Sequence, residues 1–286
     1  MMKFNENADL DPSRSSSGGG GGGRIVVGGA GGLVLILVAL FFGIDPANLL
    51  GGQTVDTTGG SGQNTLQNCT TVKEIKTEPE CRFVAYQNSL DRYWGSVVPK
   101  FTPAERFVMF SGQTQTGCGA ATAAVGPFYC PSDRMIYLDE SFFSTLQQQF
   151  GATSTPAVEA YVMGHEYGHH VQNEIGVLAK VTKSGAGADS ASVRSELQAD
   201  CFAGVWFANA TKDPKSPIAE VSEQDIREAR NAAQAIGDDR IQQETSGRVD
   251  RESWTHGSSA QREKWLLQGY RTGDPNGCDT WSARTL

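Results

Sequence analysis

The chain has 286 residues, 38% of them hydrophobic and 20% charged, with a formal net charge of −8. That balance excludes a general nucleic-acid binder, whose affinity rests on phosphate neutralisation by clustered Lys and Arg. With the glycine-rich start set aside, about 220 residues remain, enough for one domain with a sizeable core.

In chain order, residues 1–24 read as a Gly/Ser-rich tail that includes the unbroken run Gly18–Gly23. Ile25–Ile44 follows, an uncharged apolar run bracketed by Arg24 and Asp45. As a helix rising about 1.5 Å per residue it matches the roughly 30 Å of a bilayer core. Lys3, Arg14 and Arg24 precede the run and no Lys or Arg follows before Lys73, so the positive-inside rule puts the tail in the cytoplasm and the C-terminal part outside. An uncleaved signal anchor is the preferred reading. A cleaved signal peptide is the rival, and a cytosolic protein whose apolar run spans nothing is a further alternative. Residues 45–66 read as a flexible linker, and residues 67–286 as the outer domain.

Within that domain, apolar spacing from Pro79 to Val98 is helical, and Pro99 stops it. Phe107–Phe110 reads as a short strand, and Gly112–Gly126 as a small-residue loop. Phe128–Cys130 and Met135–Leu138 flank a Pro-Ser-Asp cluster, the signature of a hairpin. Thr155 caps a helix with Pro156 at its first position, running to about Ile175, where Gly176 ends it. After a Gly/Ser/Ala-rich loop, a second helix covers Ser192 to Ala210. A third starts at Ser222, with Asp225 in capping-box position, and a short last helix covers Ser259 to Gly269. The expected fold is a helix-rich α+β domain with a small antiparallel sheet, preceded by one transmembrane helix.

The six cysteines are Cys69, Cys81, Cys118, Cys130, Cys201 and Cys278, with no C-x-x-C pair among them. On the exported side of a membrane they read as disulfides. Fifteen connectivities are open. Local pairing of Cys69 with Cys81 and Cys118 with Cys130 would leave Cys201 with Cys278.

His165-Glu166-Tyr167-Gly168-His169 is H-E-x-x-H inside an expected helix. Histidines at i and i+4 share a face, so both imidazoles can reach one metal ion. Glu166, about 100° away around the helix, is placed to reach a zinc-activated water as general base. A catalytic zinc needs a third protein ligand. Glu196 and Asp200, an i, i+4 pair on the next helix, supply the candidates: Glu196 as ligand and Asp200 as the acceptor that orients His165. Asp200 as the ligand is the competing assignment. His256, in a loop before the last helix, is the candidate oxyanion or substrate contact, with a loop-anchoring role as the alternative. His170 lies off the ligand face, and Tyr167 reads as packing.

H-E-x-x-H followed by E-x-x-x-D on a later helix resembles the gluzincin arrangement of thermolysin-type metallopeptidases, with a longer connection here. The chain is more closely similar to the bacterial family called putative neutral zinc metallopeptidases. The likeness rests on Gly126–Pro131, His165–Gln172, Glu196–Gly204, and Thr255–Ser259 with Gln261 and Arg262. It implies a zincin-like fold, one Zn(2+) per chain and a peptide or protein substrate. The expected protein is a single-pass zinc endopeptidase of the bacterial inner membrane, with its domain periplasmic or extracellular and no nucleic-acid partner. The alternative is a catalytically inactive, zinc-stabilised envelope binding or assembly module.

Overall fold

The computed structural model describes residues 1–18, 64–151, 154–183 and 185–286, and most of its helices begin where the sequence places a cap. Helix α1 (Cys81–Val97) ends at Val98, which turns extended ahead of Pro99, because proline disfavours the α conformation in the residue before it. Helix α2 (Phe142–Phe150) was not anticipated. Helix α3 (Pro156–Glu174) starts with the Thr155 side chain accepting from the Val158 amide. Ser190 does the same for Val193 at the start of α4 (Ala191–Asn209). Helix α5 (Glu223–Ala235) carries the Ser222/Asp225 capping box. A second unanticipated helix, α6 (Asp238–Ser246), follows Gly237. Helix α7 (Ser259–Thr272) opens on a Ser258/Gln261 capping box and runs past Gly269.

Helix α4 occupies the middle of the helical layer, packed against α7 on one side and α3 on the other. The α4–α7 crossing is unusually close. A Cβ on Gly204 would overlap the Leu266 carbonyl oxygen, and one on Gly269 would overlap that of Cys201. Only glycine lets two helix backbones meet at this separation.

The strands are β1 (Lys3–Phe4), β2 (Ser15–Ser17), β3 (Arg106–Phe110), β4 (Gln113–Thr116), β5 (Gly119–Thr122), β6 (Phe128–Cys130), β7 (Met135–Asp139) and β8 (Ile218–Glu220). The main sheet has the order β2-β3-β7-β6. It is mixed rather than antiparallel: β2 and β7 both run parallel to β3, and only the expected β6–β7 hairpin is antiparallel. Strand β7 is therefore interior, and β6 forms the edge of the sheet. The stretch Gly112–Gly126, expected as a loop, contains the β4–β5 hairpin. It is held by the Cys118–Cys130 disulfide over a small second core with Phe110, Phe128 and Tyr137.

Residues 1–18, expected as part of a separate tail, are built into the domain. Strand β1 pairs with β8, and β2 extends the main sheet. Met2, Ala8 and Leu10 are buried in the principal core. Ser15 donates to Gln87 on α1 in a buried bond of 2.6 Å. The Ser17 amide donates to Asn64 Oδ1 at 2.7 Å, so the chain positions before and after 19–63 are side by side. The run Ile25–Ile44 and the linker residues 45–63 lie outside the described residues. Among the described residues no helix is long and apolar enough to cross a membrane.

The cysteines pair as Cys69–Cys81, Cys118–Cys130 and Cys201–Cys278.

Candidate metal centre

Helix α3 is pressed against α4 along the motif. A Cβ on Gly168 would stand 3.0 Å from the Cα and carbonyl oxygen of Ala199, so this glycine lets the α4 backbone reach the turn that carries the histidines. Glu196 and Asp200, one turn apart on α4, are thereby set opposite His165 and His169, one turn apart on α3. His165 Nε2 lies 3.1 Å from Glu196 Oε2, and His169 Nε2 lies 3.4 Å from Glu196 Oε1. One donor atom from each of the three residues falls within 4.8 Å of the others.

The remaining ring nitrogens have fixed partners. His165 Nδ1 donates to Asp200 Oδ1 at 2.8 Å, and His169 Nδ1 to Gln172 Oε1 at 2.9 Å. In the neutral ring both acceptors leave Nε2, the atom on the Glu196 side, as the nitrogen free to ligate a metal. Two imidazoles and one carboxylate with converging lone pairs are the donor set of a catalytic zinc site, which keeps one position open. These residues fit the ion that the motif implies.

Burial disfavours the charged form of every group here, and local charge decides each outcome. Glu196 is partly buried, yet His169 and His165 hold its carboxyl well below the usual range. Burial opposes a charge on His165, but Asp200 and Glu196 outweigh it and push the ring up to about 10. For Glu166 burial wins and raises the carboxyl above the ordinary glutamate value, against the pull of His165 and His169.

Behind His165 lies a closed polar cluster. Asp200 is wholly buried; its Oδ1 accepts from Tyr161 Oη at 2.6 Å and its two oxygens take a bidentate contact from Arg262, at 2.9 and 3.0 Å. Behind His169, Gln172 accepts from Ser195 and donates to Gln198, which in turn donates to the Cys278 carbonyl. The metal-facing ring on this side is thus tied to the disulfide-bonded C-terminal segment.

His256 is buried in the loop before α7. Its Nδ1 is 2.9 Å from Thr255 Oγ1 and 3.3 Å from Asp238 Oδ1. Asp238 Oδ2 accepts the backbone amides of Thr255, His256 and Gly257, fixing the loop that carries the ring. His170 stands apart from the site: it donates from Nε2 to the Thr102 carbonyl and accepts from Tyr129 Oη, and burial lowers its pKa to about 4. Tyr167 packs in the core with its hydroxyl on Asp91. Sequence reasoning missed Tyr161, Gln172 and Asp238 and assigned Arg262 no role. Gln172 at i+3 from His169 and Tyr161 at i−4 from His165 were local signals on the same helix; Asp238 and Arg262 reach the site only through tertiary contact.

A helix-borne pair of histidines and an opposed glutamate make a group that could hold a metal ion, with a second, buried glutamate next to the first histidine. The chain belongs to the family described as putative neutral zinc metallopeptidase, whose model matches residues 2–281. It is 51% identical over 294 residues to uncharacterized proteins of Mycobacterium tuberculosis and Mycobacterium bovis, covering 100% of each chain. It is 39% identical over 254 residues to the uncharacterized protein YpfJ of Escherichia coli, covering 86% of this chain and 84% of that one. No solved structure matches.

Proposed function

We propose that this protein is a zinc-dependent endopeptidase that hydrolyses peptide bonds at a membrane surface. The observation that carries the reading is the convergence of His165 Nε2, His169 Nε2 and a Glu196 carboxylate, with Glu166 beside them. His165, His169 and Glu196 would hold one zinc ion. When bound, zinc supplies a Lewis acid that polarises a carbonyl and lowers the pKa of water. Glu166 accepts a proton from the attacking water at its carboxylate and returns it to the leaving amine nitrogen as the C–N bond breaks. A raised pKa suits a group that must hold that proton between the two transfers. His256, oriented by Asp238, would stabilise the developing oxyanion. Gln172 and Asp200 hold the two imidazoles in the metal-ligating tautomer.

Ile25–Ile44 supports attachment to the bacterial inner membrane. Three disulfides support a domain on its oxidising side, periplasmic or extracellular. The net charge of −8 supports a peptide or protein substrate over nucleic acid.

The test is zinc content and cleavage of a denatured-protein or peptide library by wild type and Glu166→Gln. The expected outcome is about one zinc in both and hydrolysis in wild type alone. A zinc-loaded wild type that cleaves nothing across the library would favour the inactive binding module.

A further inference from the structure

We infer that Arg262 is a positioning residue for the metal centre. From helix α7 its guanidinium holds Asp200, so that Asp200 Oδ1 stays aimed at the Nδ1 hydrogen of His165. The inference rests on the reading of His165 as a zinc ligand.

Arg262 is 2% exposed, and its side-chain partners Asp200 and Tyr161 are both fully buried. Nε donates to Asp200 Oδ2 at 2.9 Å, and Nη2 to Asp200 Oδ1 at 3.0 Å. Nη2 also lies 3.1 Å from Tyr161 Oη, and Nη1 donates to the Ile236 carbonyl at 3.3 Å. The guanidinium has donors only, so the Tyr161 oxygen must accept from it. The Tyr161 hydrogen is then free to go to Asp200 Oδ1, at 2.6 Å. Around Asp200 Oδ1 the directions of the neighbouring bonds are therefore fixed, and His165 Nδ1, at 2.8 Å, completes the set as a donor. Its Nε2, on the Glu196 side, is left free to ligate a metal.

The charge argument points the same way. A wholly buried carboxylate needs a compensating cation. Arg262 is that cation, in bidentate contact with both Asp200 oxygens. Lysine cannot replace the guanidinium, because an ammonium group presents no planar fork to the carboxylate. The Gly204–Gly269 crossing gives the reach: it sets α7 against α4 closely enough for residue 262, two turns before Gly269, to arrive at Asp200.

The experiment compares full-length wild type, Arg262→Lys, Arg262→Gln and the double variant Arg262→Gln/Asp200→Asn. The double variant removes both buried charges, so it keeps the test open if a single variant fails to fold. Two readouts are taken: zinc affinity by chelator competition, and the visible absorption of the cobalt(II)-substituted protein, which reports ligand geometry without turnover. The expected result is a zinc affinity lowered about 10–100-fold in each folded variant, the usual effect of losing an outer partner of a ligand, with an altered cobalt spectrum. A folded double variant or Arg262→Lys with wild-type zinc affinity and cobalt spectrum would overturn the proposal and leave Arg262 a packing residue. A wild type that binds neither metal would instead overturn the metal-site reading, and this inference with it.

Discussion

Glu166 is buried and Glu196 partly buried beside the same two histidines, yet their carboxyls are shifted in opposite directions. Glu196 is hydrogen-bonded to both imidazoles; Glu166 feels them only through space, so burial prevails there. The two glutamates should therefore fail differently when neutralised. Glu166→Gln should retain zinc while peptide hydrolysis drops by about 10²–10⁴-fold, the usual share of a general acid–base group. Glu196→Gln should lose zinc before it loses fold, measured by metal content against thermal stability. Equal zinc content in the two would contradict the assignment. Asp91 offers a test away from the metal. Burial raises its pKa to about 6 from 3.8, against the hydrogen bond from Tyr167. Its protonated form is favoured by the fold, so the contribution to stability is full below the unfolded value, declines as pH rises to about 6, and is flat above that. Asp91→Asn keeps an acceptor for Tyr167 and removes the charge. It should stabilise the protein by about 1–3 kcal/mol at neutral pH, a gain that disappears near pH 4 in denaturant titrations. A gain independent of pH would show that the carboxylate is not the cause.

At the level of elements, the site depends on how closely three helices approach one another. Gly204→Ala or Gly269→Ala must push α7 off α4, because the added methyl meets backbone that cannot rotate away. Overpacking of this kind costs about 1–3 kcal/mol, and here it should also weaken zinc binding by drawing Arg262 from Asp200. Unchanged zinc affinity in a folded Gly269→Ala variant would mean the crossing can relax without disturbing the site. The same helices explain what could be read from sequence. The caps at Thr155 and Ser222 act within three residues of themselves, so the starts of α3 and α5 were readable, as was the i, i+4 spacing of His165 and His169; the caps at Ser190 and Ser258 were not read. Glu196 and Asp200 were readable as two carboxylates on one helix face. Strand β2 was not: three serines show no alternation, and their pairing with β3 is set by residues about ninety positions away. Helix α6 is polar and starts directly after Gly237, with no side chain to cap it. Asp238 and Arg262 reach the site across helix boundaries, and no local spacing marks such contacts.

For the molecule as a whole, the N-terminal residues pose the sharpest question. A chain that crosses a bilayer once between residues 18 and 64 would place residues 1–18 on the side opposite the metal centre. The fold instead joins them: β2 lies in the main sheet, Met2 and Leu10 are in the core, and Ser17 Oγ is 2.9 Å from Thr65 Oγ1. Tearing this arrangement apart would expose buried apolar side chains and leave β3 without one of its ladder partners, a loss of several kcal/mol by the usual area relation, about 25 cal/mol per Å². The expectation is that residues 1–18 and 64–286 share one side of the membrane, whatever path the chain takes between them. The Lys/Arg bias that suggested a cytoplasmic tail is weak evidence against so many contacts, since only Lys3, Arg14 and Arg24 carry it. The test is a Ser17→Cys/Thr65→Cys variant expressed in cells and mapped without reduction. A new cross-link between the two positions, with the three native disulfides intact, is the expected result. Labelling of a cysteine placed at Asn7 by a membrane-impermeant reagent in intact spheroplasts should agree with it. No cross-link, together with an Asn7→Cys thiol that reacts only after lysis, would mean that residues 1–18 leave the domain when the protein is in its membrane.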